Sequence, residues 1–259
     1  MTPIASAPDF TLSGQRALVT GSSQGIGLAL AVALGRAGAQ VVLNGRNITK
    51  LEAAVVALQE AGIDAHASVF DVQDEASINT AIAALGTTLG PIDILVNNAG
   101  MQLRRSLEQI ESHEWRQVID LNLTSAFLVS KAVVPGMIER QRGKIINTCS
   151  LMSDLGRATT GPYTASKGGL KMLTKAMCVD WARHNIQING IGPGYFRTEM
   201  TQALVDDAEF SGWLAKRTPA GRWGEVEELG GLAVFLASPA ANFINGQVIF
   251  VDGGLSAAL

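Results

Sequence analysis

The stretch RALVTGSSQGIGLALAVALGRAGAQVVLNGR, residues 16–46, decides the fold. It opens with a short β-rich apolar run, RALVT (16–20), and turns through a cluster of glycines. It continues as GIGLALAVALGRAGA (25–39), apolar at helical spacing, and then as a second apolar run, QVVLN (40–44). Strand, turn, helix and strand in about thirty residues make one βαβ unit, and its two strands run parallel.

The turn TGSSQGIG (20–27) places Gly21, Gly25 and Gly27 at a G-x-x-x-G-x-G spacing, not the commoner G-x-G-x-x-G. The physics of the two is shared. Glycine lets backbone bend sharply and approach a phosphate, while the following helix aims free N–H groups and its positive dipole end at the same point. Gly21, Ser23, Gln24, Gly25, Ile26 and Gly27 are therefore candidate pyrophosphate contacts. The second run ends in Asn44-Gly45-Arg46, with no carboxylate to select bare ribose hydroxyls. Arg46 supplies a planar fork suited to a 2′-phosphate, so NADP(H) is the preferred cofactor, with NAD(H) use left open.

The same rhythm continues. Further strands are expected at DAHASVF (64–70), IDILVN (92–97), GKIINTC (143–149), IQINGI (186–191) and QVIFVD (247–252). Helical patterns lie between, as in ITKLEAAVVALQEAG (48–62) and SHEWRQVIDLNLTSAFLVSKAVVPGMIER (112–140). Several strands are unbroken apolar runs, as a sheet covered on both faces requires. The expected fold is α/β, one doubly wound parallel sheet of Rossmann type in a single domain over residues 1–259. The segment of about 195–224, with Trp213 and Trp223, breaks the rhythm and reads as a small helical lid insertion.

Composition narrows the function classes. The chain is 47% apolar and 17% charged with a formal charge of −3, so it offers no broad cationic field for nucleic acid. The opening MTPIASAPDF lacks a targeting pattern and no unbroken run of about 18 apolar residues occurs, so the expected location is the cytoplasm, away from membranes. Cys149 and Cys178 do not make a disulfide framework, and His66, His113 and His184 are too scattered to hold a metal. Cys149 also lacks a base partner for nucleophilic chemistry.

In GPYTASKGGLKMLTKAM (161–177), Tyr163 and Lys167 stand one helical turn apart at a helix start. A half-buried aromatic beside a solvated charge would look the same. The chemical alternative is proton transfer. Bringing a phenol from about 10 to neutrality requires about 4 kcal/mol, which one ammonium at about 4 Å and an effective dielectric near 20 can supply. Lys167 is thus expected to do most of the work of acidifying Tyr163.

Together, TGSSQGIG, NNAG (97–100), Asn122 in DLNL, Ser150 thirteen residues before Tyr163, and the Tyr163–Lys167 pair resemble the short-chain dehydrogenase/reductase family. Pro193-Gly194 and VDGG (251–254) extend the likeness from about residue 10 to the C-terminus. The resemblance implies that Tyr163 is the general acid/base for a substrate oxygen while a nicotinamide moves hydride. It implies that Ser150 stabilises charge on that oxygen, with Ser153 a rival, and that Lys167 also holds the nicotinamide ribose. Asn122 would anchor a proton-relay water; read alone, it is a satisfied core amide. Asn98, Ala99 and Gly100 would lie against the riboses, Asp71 and Val72 at the adenine, and Pro193, Gly194 and Thr198 at the nicotinamide end.

Within the family, residues 178–207 and 213–224 look nearest to enzymes that interconvert D-gluconate and its 5-keto acid. The substrate implied is a small polyhydroxy acid or ketone; a 3-oxoacyl thioester or another sugar is the alternative. Arg104, Arg105 and Arg157 are candidates for its carboxylate, while Arg222 and Trp223 read as structural. The helices holding Asn122 and Tyr163 are apolar on more than one face, which implies a homo-oligomer, by family likeness a homotetramer.

Overall fold

The computed structural model describes residues 9–258. Most of the opening stretch read for a targeting pattern, residues 1–8, lies outside the described residues. Every expected strand forms: β1 (Arg16–Val19), β2 (Gln40–Gly45), β3 (Ala65–Val69), β4 (Ile94–Asn97), β5 (Gly143–Thr148), β6 (Ile186–Pro193) and β7 (Val248–Val251). All pair in parallel in the order β3-β2-β1-β4-β5-β6-β7. Strand order reverses direction between β1 and β4, and in such sheets ligands bind beyond the carboxyl ends of the strands at that point.

Burial follows sheet position. The central strands β4, β5 and β6 are buried along their whole length, whereas β3, at one edge, alternates inward and outward. The opposite edge strand, β7 (VIFV), is wholly apolar yet only half-buried. Helices α1 (Gly25–Arg36), α2 (Ile48–Glu60) and α9 (Gly230–Ala237) cover one face, sealing Leu30, Leu34, Leu51 and Leu236 against the sheet. Helices α3 (Glu75–Thr88), α5 (Ser125–Arg140) and α6 (Gly161–Trp181) cover the other around Ile78, Val129, Met137 and Met177. Side-chain caps start two of them: Asn47 Oδ1 accepts from Lys50 N at 3.0 Å for α2, and Asp74 Oδ1 from Ala76 N at 3.0 Å for α3.

The helical stretch expected over 112–140 is interrupted. It runs as α4 (Ser112–Ile119), a wide π turn over Asp120–Thr124, and then α5. The cause sits inside the turn, where Asn122 is buried and its amide serves the neighbouring loop and α6. By length and composition the whole stretch Ser112–Arg140 could cross a membrane. Here its apolar side packs on β4, β5, α3 and α6.

The segment that breaks the rhythm forms a one-turn 3-10 helix (Glu199–Thr201), α7 (Gln202–Val205) and α8 (Ala208–Arg217). These gather around Leu214, Trp223, Leu255 and Leu151, a cluster separate from the two sheet cores. The base of the insertion is stitched shut, with Arg197 N donating to Gly224 O at 3.0 Å and Gly224 N to Tyr195 O at 2.9 Å.

One buried charge limits stability. Lys144, near the start of β5, is buried with Nζ donating to Asn242 Oδ1 at 2.7 Å, and burial lowers its pKa from 10.5 to about 8. The unfolded chain keeps this proton up to 10.5 while the folded chain releases it from about 8, so stability rises with pH across that window. The cost of burying the ammonium is complete below pH 8 and absent above 10.5. Lys144→Met is therefore expected to stabilise the fold at pH 7 by about 1–2 kcal/mol, discounted for the solvent still reaching the group. Urea unfolding at pH 7 and at pH 10 checks this, because the gain must shrink at the higher pH.

Candidate functional site

At the carboxyl ends of β1, β2, β4, β5 and β6 lies a cleft of about 550 Å³. Every residue singled out for the cofactor lines it, from the glycine-rich turn through Arg46, Asp71 and Val72 to Asn98–Gly100, Tyr163, Lys167, Pro193, Gly194 and Thr198. Among the glycines, Gly21 and Gly25 adopt left-handed backbone, with φ of 60° and 58°. A Cβ on Gly27 would lie 2.5 Å from Asn98 Nδ2 and 2.9 Å from Ser22 Cα. The turn is thus pressed against the loop after β4. Asn98 Nδ2 donates to the carbonyls of Thr20 and Gly21 at 3.0 Å each, and Thr20 Oγ1 accepts from Asn98 N and Ala99 N at 2.9 and 3.1 Å. Asn98 therefore acts through its side chain and its N–H on the glycine turn and the strand before it.

The start of α1 is prepared for an anion. Unlike α2 and α3, it has no side-chain cap, Gln24 making none, and unlike α3 it has no acidic residue in its first turn. Its free N–H groups and positive dipole end open onto the cleft. Beside β2, Arg46 is exposed, with Nη1 3.5 Å from Asp71 Oδ2. Asn44 is buried and spent internally, donating to Ser68 O and Phe70 O at 3.1 Å each, so it offers nothing to a ribose. An uncapped helix start, a glycine cradle and an exposed guanidinium fit a dinucleotide carrying an extra phosphate.

Sequence reading missed a chain of contacts across the mouth. Lys50 Nζ donates to Gln24 Oε1 at 3.0 Å, and Gln24 Nε2 donates to Glu199 Oε2. This joins α2, the glycine turn and the start of the insertion, elements remote in sequence. Thr148 was missed for a related reason, because its contribution is a backbone carbonyl.

At the inner end, α6 begins at Gly161 and carries Tyr163 and Lys167 on successive turns. Lys167 is buried, its Nζ donating to Thr148 O at 2.5 Å and standing 5.6 Å from the centre of the Tyr163 ring. Tyr163 keeps some surface on the cleft, yet the protein packed around it pushes its pKa up from 10, opposed by the neighbouring Ser150 hydroxyl. Burial likewise lowers Lys167 to about 8. The expectation that the ammonium alone acidifies the phenol does not hold in the free chain. Both groups are packed around by protein, and desolvation penalises the charged form of each.

The two rival serines separate. Ser150 Oγ caps the turn Leu151–Ser153, accepting from Met152 N at 3.1 Å, and also lines the cleft. Ser153 Oγ donates to Lys167 O at 2.9 Å and so braces α6. Asn122 sits behind the cleft wall: Oδ1 accepts from Met101 N at 2.8 Å, while Nδ2 donates to Met101 O at 2.9 Å and Ser166 Oγ at 3.1 Å. It ties the loop after Gly100 to the residue preceding Lys167. Thr198 Oγ1 faces the cleft but caps the turn at 199–201, accepting from Thr201 N at 3.2 Å. Cys149, also in the cleft wall, has its thiol pushed up by burial and stays protonated.

A smaller pocket of about 90 Å³ adjoins Ser150 and Tyr163 and is lined by Arg104 and Arg157. Arg105 is turned elsewhere, its Nη1 donating to Glu114 Oε2 at 2.8 Å, so it leaves the list of carboxylate ligands. Arg222 pairs with both oxygens of Glu228 at 2.8 and 2.7 Å, and Trp223 is buried, so both are structural.

Comparison with known proteins agrees with this geometry. Residues 21–256 match the family described as Enoyl-(Acyl carrier protein) reductase. The chain is similar to gluconate 5-dehydrogenase of Gluconobacter oxydans (strain 621H), at 54% identity over 98% of this chain and 100% of that one. It is also similar to 5-keto-D-gluconate 5-reductase of Escherichia coli (strain K12), at 53% identity over 96% and 98%. Among solved structures, gluconate 5-dehydrogenase from Burkholderia cenocepacia J2315 in complex with NADP and tartrate superposes with a TM-score of 0.95 at 53% identity, covering 97% of this chain and 99% of that one.

Proposed function

The chain belongs to the short-chain dehydrogenase/reductase family, and from that premise we propose that it interconverts D-gluconate and 5-keto-D-gluconate with NADP(H) as the preferred cofactor. The observation that carries the reading is the pocket in which Ser150 and Tyr163 meet two arginines beside the dinucleotide cleft. Gluconate 5-dehydrogenases and a 5-keto-D-gluconate 5-reductase, alike to this chain almost end to end, support the substrate. The NADP and the hydroxy-dicarboxylate tartrate in the Burkholderia cenocepacia enzyme support cofactor and substrate class.

When bound, NADP(H) supplies hydride transfer and, oxidised, a positive charge near the phenol. The chain's residues do the rest. The glycine turn and the start of α1 hold the pyrophosphate, Arg46 the 2′-phosphate, and Lys167 the nicotinamide ribose. Ser150 donates to the substrate oxygen and steadies its developing charge. Tyr163 gives that oxygen a proton in reduction and removes it in oxidation. Because burial favours the protonated phenol, it is a donor first. Asn122, its side chain taken up by Met101 and Ser166, would anchor through its backbone carbonyl a water by which Lys167 exchanges protons with solvent. The insertion, from Glu199 through α8, closes over the substrate and excludes water.

The competing reading is a ketoreductase or enoyl reductase acting on an acyl thioester, as the matched family's description would suggest. Two guanidiniums in the substrate pocket disfavour it, since an acyl chain gives them no partner. Purified enzyme should oxidise D-gluconate with NADP and reduce 5-keto-D-gluconate with NADPH, followed by nicotinamide absorbance. Turnover of an acetoacetyl thioester with none of the sugar acid would reverse the assignment.

The assembly we propose is a cytoplasmic homotetramer. Phe127, Met172 and Val179 expose apolar surface on α5 and α6, and Phe243 does so beside the half-buried edge strand β7. Two separate apolar faces suit the two kinds of twofold contact in such an assembly.

A further inference from the structure

Arg157 is held in place and Arg104 is not. The guanidinium carbon of Arg157 stands 4.5 Å from the centre of the Phe210 ring, and Nη1 donates to Tyr195 Oη at 3.4 Å. Phe210, on α8, is itself confined. Its ring meets Tyr195 edge-on at 5.5 Å and Trp223 at 6.1 Å, and the Trp223 indole donates to Ser211 Oγ at 3.1 Å. A guanidinium over an aromatic face keeps its N–H edges for a carboxylate, and the planar fork matches the two oxygens. Arg104 is exposed, and the surrounding protein and then the Arg157 charge lower its pKa. Without an anchor and opposed by its neighbour, it is drawn towards an anion already bound and does not itself fix where that anion sits.

We propose that Phe210 is a positioning residue that fixes Arg157 as the main ligand of the substrate carboxylate, so that α8 sets the preference for sugar acids. This rests on the sugar-acid reading above and adds to it, because α8 then contributes to selectivity besides covering the site. Phe210 does not line the pocket that holds Ser150 and Tyr163, so its loss should weaken binding of the acid and spare the chemical step.

Phe210→Leu, which keeps an apolar side chain and removes the aromatic face, tests this in the full-length enzyme loaded with NADP. The expected result is a KM for D-gluconate raised about five-fold, with kcat and the Kd for NADPH unchanged. Phe210→Tyr, which keeps the ring, should restore the wild-type KM. Should the leucine variant lose stability, Arg157→Lys leaves the aromatic cluster intact and carries the same expectation for KM. An unchanged KM in a stable Phe210→Leu or in Arg157→Lys, or an equal rise in Phe210→Tyr, overturns the proposal. So does a parallel loss of kcat and NADPH affinity. Failure of the wild-type enzyme to turn over gluconate overturns the sugar-acid reading and this proposal with it, and is seen before any variant is made.

Discussion

Tyr163→Phe is expected to lower turnover by about three orders of magnitude while NADPH binds almost as before. Phenylalanine retains the ring that packs at the start of α6, and Lys167 keeps its bond to Thr148 O. The glycine turn, Arg46 and the loop at Asn98–Gly100 lie on other elements and are untouched. What disappears is the hydroxyl proposed to carry the proton, which shares the cleft with Ser150. Steady-state kinetics with D-gluconate and NADP, beside fluorescence titration of NADPH, separate the two effects. Comparable turnover in the variant would end the acid/base assignment. A large loss of NADPH affinity would mean that the tyrosine holds the cofactor and does not act chiefly as the proton carrier.

Arg46→Asp should weaken NADPH binding about 100-fold, from two charge-assisted hydrogen bonds lost to the 2′-phosphate and a like charge placed beside it. Asp71, 3.5 Å from the guanidinium in the present chain, would then face a second carboxylate. NADH should gain, because a carboxylate after β2 accepts from the ribose hydroxyls that NADPH has partly blocked. The readout is the ratio of dissociation constants for NADPH and NADH, measured without substrate. An unchanged ratio would show that Arg46 does not select the cofactor, and Lys50, reaching Gln24 from the first turn of α2, would be the next cation to replace.

The parts of the site that were legible in the sequence are local ones. Tyr163 and Lys167 are neighbours because a helical turn spans four residues. Gly21 and Gly25 were readable as glycines that let the backbone bend sharply, and both adopt left-handed backbone there. Arg105, by contrast, could not be told from Arg104 and Arg157 until Glu114, nine residues away on α4, was seen to engage it. Ser153 and Ser150 were likewise equivalent until α6 packed against one of them and not the other. The π turn at Asn122 follows from contacts to Met101 and Ser166, residues far apart in the chain that no helical periodicity records.

Alternation of apolar runs and helical patterns by itself determined the seven parallel strands, because strand and helix periods are set by backbone geometry between near neighbours. The glycine turn and the spacing of serine, tyrosine and lysine carried the family resemblance from which the chemistry was expected. Only the tertiary structure decided what encloses the phenol, which guanidiniums line the pocket beside it and what anchors Arg157. Those properties come from desolvation and pairing among residues separated by tens to hundreds of positions, and such terms exist only once the chain has packed.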